Sequence, residues 1–253
     1  MRVYLTVSAE DYPAASQAGR HFAHMAYRIG ENSALLRQNL PLQTRGGLLC
    51  ATDRGAPAVQ NPAALCAAVL RECGRRGYTG AVLDFEEAPR QDLKTFAAAL
   101  SRRMRETGRK LYLPLPYAKE APEATALVCT AVSGGNYREY LEETVQRWGG
   151  PDRIALDVQR LRMDFCLPAP SGEGVPLDAA AFAEWSQGKA VYFSPDLCAR
   201  YFTCTRQGQA HFVLFDDADT LARKLKTGTE LGIETAFFQW PEVRDLAGSL
   251  PLG

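Results

Sequence analysis

Short apolar runs rich in β-branched and aromatic residues recur along this chain, each followed by a segment of helical periodicity, and that alternation limits its possible folds most. Such a pattern builds βα units around a parallel sheet. The expected strands are Arg2 to Val7, Phe22 to Arg28, Gly47 to Thr52, Gly80 to Phe85, Lys110 to Leu115, Ala126 to Val132, Arg153 to Gln159 and Thr235 to Trp240. Eight strands in 253 residues match the ~250 residues typical of a closed parallel barrel. The chain therefore reads as α/β, a (β/α)8 TIM barrel forming a single domain over 1–253, with no linker and no internal repeat.

The segments between strands carry helix signals. Asn61-Pro62 sets an N-cap with proline at the first helical position. The helix that follows puts Leu65, Val69, Leu70 and Cys73 on one side and stops at Gly74 or Gly77. Pro89 opens another helix, in which Leu93, Phe96, Ala97, Leu100 and Met104 recur at helical spacing. Further helices are expected over Tyr137 to Trp148 and about Asp219 to Leu231. Residues 160–216 depart from the alternation. With Pro168, Pro170, Gly172 and Gly174 and strand-like pieces at 190–193, 200–204 and 211–215, they read as an irregular insertion holding a short helix and a hairpin.

Composition narrows the function classes. Lys and Arg total 29 and Asp and Glu total 29, so no net field collects phosphates or an anionic membrane. Nucleic-acid and membrane partners are not expected. No run approaches the ~18 consecutive apolar residues of a membrane span, and the first residues lack the apolar core of a leader. Seven cysteines, odd in number and without a CxxC pair, read as buried free thiols. Together these features predict a cytoplasmic protein. His21 and His24 lack the further ligands of a metal set, and neither a phosphate loop, a dinucleotide fingerprint nor a nucleophile elbow is present. Neither a metal nor a cofactor is expected.

The stretch richest in chemistry is Gly80-Ala-Val-Leu-Asp84-Phe85-Glu86-Glu87. Alternate side chains share a strand face, so Val82, Asp84 and Glu86 point one way while Leu83 and Phe85 point the other. In a parallel barrel the C-terminal strand end is the mouth, where active sites sit. Two carboxylates held side by side in a half-dry site share a proton, and the raised pKa of one suits a general acid. The alternative is an acidic strand end that pairs with a basic loop residue or caps the helix near Pro89.

The run Tyr78-Thr-Gly-Ala-Val-Leu-Asp-Phe-Glu86 resembles the fourth-strand signature of the family 18 glycoside hydrolases, Asp-x-x-Asp-x-Asp-x-Glu. Asp84 takes the place of the last Asp and Glu86 that of the Glu, while Thr79 and Val82 replace the first two Asp residues. Residues 196–240, with Tyr201-Phe202, Gly208, His211, Phe215-Asp216-Asp217, Leu221, Lys224 and Gly232-Ile233, are similar to the spore-lysin-like bacterial branch. The resemblance implies that Glu86 protonates the glycosidic oxygen and that Asp84 holds the substrate acetamido group. It also implies that Trp240, on the last strand, floors the sugar site; alternatively Trp240 is a core aromatic capped by Pro241. The sixth strand departs from the family: where Met-x-Tyr-Asp is common, this chain has Thr130-Ala-Val132-Ser133.

Asp157 and Gln159 share a face of the seventh strand, and pointing inward they either meet a sugar hydroxyl or complete an internal hydrogen-bond network. Tyr27, near the end of the second strand, and Tyr117, just beyond the fifth, are substrate-binding candidates by position. The expectation is a hydrolase of N-acetyl amino-sugar glycans of peptidoglycan or chitin type, working by substrate-assisted acid catalysis. The alternative is an inactive barrel that binds a glycan or a protein partner; a barrel enzyme acting on a small metabolite is a third. Kinship with spore lysins adds spore association.

Overall fold

The computed structural model describes residues 1–38, 43–169 and 172–252. Its strands are β1 (Arg2–Val7), β2 (His21–Ile29), β3 (Leu35–Arg37), β4 (Leu48–Thr52), β5 (Gly80–Asp84), β6 (Lys110–Pro114), β7 (Thr125–Cys129) and β8 (Ile154–Val158). These are followed by β9 (Arg162–Leu167), β10 (Val175–Pro176), β11 (Tyr192–Ser194), β12 (Ala199–Arg206), β13 (Gln209–Phe215) and β14 (Thr235–Gln239). The helices are α1 (Tyr12–Ala18), α2 (Pro62–Arg76), α3 (Gln91–Glu106), α4 (Leu115–Ala118), α5 (Tyr137–Trp148), α6 (Ala179–Ser186), α7 (Ala218–Glu230) and α8 (Trp240–Val243).

Eight parallel strands run in the order β1-β14-β8-β7-β6-β5-β4-β2, and β1 pairs with β2 to close the ring. The (β/α)8 expectation holds, with every expected strand within a few residues of its place. Alternation along each strand sorts side chains into two cores. Ala81 and Leu83 of β5 face outward into the large cluster shared with the helices, whereas Val82 joins Tyr4, Tyr112 and Phe237 inside the ring. Tyr4 stacks on Phe237 at 5.3 Å, and Tyr112 meets Phe237 edge-on at 4.9 Å. Aromatic bulk thus fills the lower barrel and makes it a packed core rather than a pore. Gly80 is required where it stands: a Cβ there would lie 2.3 Å from the Lys110 carbonyl oxygen of β6.

The helices form as their sequences dictate. Asn61 accepts the Ala64 N–H at 3.0 Å, and Gly77 ends α2 in the left-handed conformation at φ +71°. On α3, Leu93, Phe96, Ala97, Leu100 and Met104 are all buried, although the helix begins at Gln91, two residues after Pro89.

The segment 160–216 is more ordered than a hairpin with a loop. It holds a five-stranded antiparallel sheet in the order β10-β9-β13-β12-β11, with α6 against one face through Phe182 and Trp185. Its Pro and Gly residues had suggested irregular backbone, but most of them fall between strands rather than within them. A buried ion pair anchors its exit. Lys224 Nζ on α7 lies 2.7 Å from Asp216 Oδ2, both side chains wholly inaccessible, and the same carboxylate accepts the Leu161 N–H and the Thr220 hydroxyl. Of the seven free cysteines, Cys50, Cys66, Cys73 and Cys198 are buried as expected, while Cys166 is exposed on β9. Among the described residues no helix is long and apolar enough to cross a membrane.

Candidate active site

The mouth of the barrel is a cavity of about 510 Å³ at the C-terminal strand ends. Asp84, Glu86, Asp157, Gln159, Gln239 and Glu242 supply its polar wall, and Phe237 is an aromatic wall. Thr52 ends β4 in register with Asp84 on β5, so the two rise together from one face. Asp157 stands on β8 in register with Cys129 on β7 and Phe237 on β14.

Two of these carboxyls are electrostatically strained. Burial pushes Asp84 up from 3.8 to about 6, and the charges of Glu86, Asp157 and Asp53 add to the rise while Arg54 opposes it. Burial also pushes Asp157 up to about 6; Glu242 and Glu86 add to it. Gln159 Nε2 donates to Asp157 Oδ2 at 2.8 Å and works against that rise, because a hydrogen bond to the anion favours it. Asp157 and Gln159 therefore do form the inward polar pair read from the sequence.

Glu86 lies two residues beyond Asp84, where β5 has already ended. Its carboxylate is half exposed and meets the Arg54 guanidinium at 2.7 Å. No hydrogen bond joins Glu86 to Asp84 among the described residues; the coupling between them is purely of charge. The backbone of Glu86 is the better fixed part. Its N–H donates to Asp53 Oδ1 at 2.9 Å, and Asp53, wholly buried after β4, keeps its other carboxylate oxygen without a hydrogen-bond partner. Glu87 Oε1 in turn accepts the Gly55 N–H at 2.6 Å. Two neighbouring βα loops are thereby laced together under the rim.

Three expected site residues are carried elsewhere. Tyr27 is buried on the outer side of β2, its hydroxyl 3.2 Å from Glu72 Oε1 and 3.3 Å from the Tyr78 hydroxyl. The reason is a bulge: Met25 pairs with Cys50 but Tyr27 with Ala51, so one extra residue turns Tyr27 away from the barrel interior. Tyr117 is buried on α4 edge-on to Phe85 at 5.2 Å, within the helix-side core. Trp240 begins α8 and is buried in that same outer core, so the cavity's aromatic side chains are others, Phe85, Tyr140 and Phe237.

The sequence reading missed Gln239, Glu242, Tyr140 and the support from Asp53. For Asp53 a signal existed, since Thr52-Asp53 ends an apolar strand with polar residues, as Asp84 does. Glu242 and Tyr140 come from helices after strand ends, where no strand periodicity points to the mouth. At the sixth strand, β7 ends at Cys129, and Thr130-Ala-Val132-Ser133 lies beyond it. Tyr140 of α5 reaches the cavity there and donates to the Cys129 carbonyl at 3.2 Å. Among the described residues no group of three His, Cys, Asp or Glu side chains could hold a metal ion.

Solved structures that superpose on this chain include proteins described as chitinases and spore cortex-lytic enzymes. The spore cortex-lytic enzyme SleL of Bacillus megaterium QM B1551 superposes with a TM-score of 0.65 at 14% identity, over 98% of this chain and 73% of that one. A chitinase from Chromobacterium violaceum ATCC 12472 gives 0.69 at 15% identity, over 95% and 94%. A plant class V chitinase mutant from Cycas revoluta, solved with (GlcNAc)3, gives 0.66 at 11% identity over 98% of each chain. No family profile matches the sequence, and no curated protein matches it. The chain has the (β/α)8 fold of the family 18 glycoside hydrolase barrels, the chitinases and spore cortex-lytic enzymes that it resembles.

Proposed function

We propose that the barrel mouth binds N-acetyl amino-sugar glycans of peptidoglycan or chitin type and cleaves their glycosidic bonds by acid catalysis. The observation that carries this reading is the side chain of Glu86 at the rim of a cavity of about 510 Å³ whose wall holds two carboxyls raised to about 6. Glu86 gives its proton to the leaving oxygen. Asp84 and Asp157 face the ring from the cavity wall and receive its acetamido and hydroxyl donors, and the apolar sugar face rests against Phe237. The nucleophile is the substrate's own N-acetyl oxygen, so no enzyme carboxylate has to attack. Arg54 does not block this chemistry: its ion pair is exposed and screened by solvent, so it holds Glu86 only weakly and a bound saccharide displaces it.

A second reading is a barrel that binds the glycan without turning it over. It is favoured by one feature, the engagement of Glu86 with Arg54 rather than with Asp84. One comparison separates the two: wild type against Glu86→Gln on N-acetylglucosamine oligomers and muropeptides, with binding measured in parallel. Cleavage by wild type, lost in Glu86→Gln with binding kept, supports catalysis. Binding by both with equal and negligible turnover leaves only the second reading.

A further inference from the structure

The bulge that removes Tyr27 from the barrel interior puts another side chain in its place. Past the irregularity, Arg28 pairs with Thr52, which pairs with Asp84, so these three residues occupy one row across β2, β4 and β5. Adjacent strands lie ~4.8 Å apart. Arg28 and Asp84 are thus rooted about 10 Å apart on the mouth side, a separation on the scale of a disaccharide unit.

Between them opens a second cavity, of about 470 Å³, that shares Cys50 and Asp84 with the mouth cavity and is walled by Met25, Leu36, Arg28 and Arg37, with the buried Tyr27 at its edge. Its cations differ in their commitments. Arg37 lies 3.8 Å from Glu72, and Arg54 stands on the neighbouring rim, outside the lining of this cavity. Arg28 is exposed and has no acidic partner among the described residues. A guanidinium offers two parallel donors that fit a carboxylate, whereas Asp84, Glu86, Asp157 and Glu242 repel an anion from the other half of the mouth.

We infer that this cavity is a subsite for a carboxylate-bearing saccharide, with Arg28 receiving the carboxylate and Met25 and Leu36 packing against the carbon skeleton that carries it. The inference rests on the glycan-cleaving reading for the position of the bond, and it makes the preferred glycan an acidic amino-sugar polymer rather than a neutral one.

The test uses three ligands of equal length: a neutral N-acetylglucosamine oligomer, an amino-sugar oligomer with a free lactyl-ether carboxylate, and the same oligomer with that carboxylate amidated to a short peptide. Affinities are measured by calorimetry at low salt on Glu86→Gln, alone and combined with Arg28→Gln or Arg28→Lys, and kcat/KM is measured with Glu86 intact. The lactyl carboxylate is expected to bind at least tenfold tighter than the neutral oligomer. Arg28→Gln brings that ratio close to one, and Arg28→Lys restores part of it. Equal affinity for acidic and neutral ligands, or a preference that survives Arg28→Gln, overturns the inference; a preference found only with the peptide-bearing ligand overturns the placing of the anion on the sugar. Because binding is read apart from turnover, preference without cleavage defeats only the catalytic reading, and cleavage without preference defeats only the role of Arg28.

Discussion

Replacing Asp84 by asparagine should make the protein more stable at neutral pH while it damages the site. Asp84 accepts no hydrogen bond from a described residue, and its carboxyl is raised from 3.8 to about 6, chiefly by burial. At ~1.36 kcal/mol per pH unit, that rise makes the ionised form about 3 kcal/mol more costly in the folded chain than in the unfolded one. The sign follows from proton binding. Between 3.8 and 6 the folded chain holds a proton that the unfolded chain has lost, so stability is greatest below 3.8, falls as pH rises and reaches its floor above about 6. Asparagine keeps the shape and removes the charge. Asp84→Asn should therefore gain about 2–3 kcal/mol over wild type at pH 8, a rise in melting temperature of roughly 4–12 °C for a chain of this size, with most of the gain gone at pH 4. Thermal unfolding of both proteins at pH 4 and pH 8, followed by circular dichroism, reads this directly. No gain at pH 8, or the same gain at both pH values, would refute the assignment of Asp84 as a strained internal carboxyl. Such an exchange of stability for a charged site is what functional positions often show.

Two other substitutions separate architecture from chemistry. Lys224→Met leaves the Asp216 carboxylate buried without its cation, which should cost about 3–5 kcal/mol in denaturant unfolding; a loss below about 1 kcal/mol would contradict the arrangement at the foot of the insertion. Trp240→Phe should lower stability by on the order of 1 kcal/mol and leave KM for amino-sugar oligomers within twofold, because the indole belongs to the outer core; a tenfold rise in KM with unchanged melting would return it to the sugar site.

The barrel was legible because its signal is local and repeated. Every parallel strand that is covered on both faces must be apolar, and runs such as Gly80-Ala-Val-Leu and Leu48-Leu-Cys-Ala announce themselves. Asp84 and Asp157 were legible for the complementary reason, as charges ending strands whose other inward positions are apolar. What a two-residue period does not contain is an inserted residue: His21–Ile29 carries no mark that the count shifts between Met25 and Tyr27, so position alone pointed to Tyr27 and nothing pointed to Arg28. The same limit explains Trp240. Alternation was extended through it, but the chain leaves the strand at Gln239 and turns into α8 before Pro241. The antiparallel sheet of the insertion was hidden because its strands pair with non-consecutive neighbours, β9 with β13 and not with β10 alone, and that information is nowhere in a local window. Glu242 reaches the mouth by tertiary packing, and Asp53 supports Glu86 from another loop across more than thirty residues.

The most direct test of the account is a crystal structure of Glu86→Gln with a bound N-acetyl amino-sugar oligomer. A ring seated in the mouth against Asp84, Asp157 and Phe237, with its glycosidic oxygen ~2.6–3.2 Å from the side chain at position 86, is the predicted result. An oligomer bound elsewhere, for instance along the antiparallel sheet, with residue 86 still turned to Arg54 and the mouth free of sugar, would contradict it.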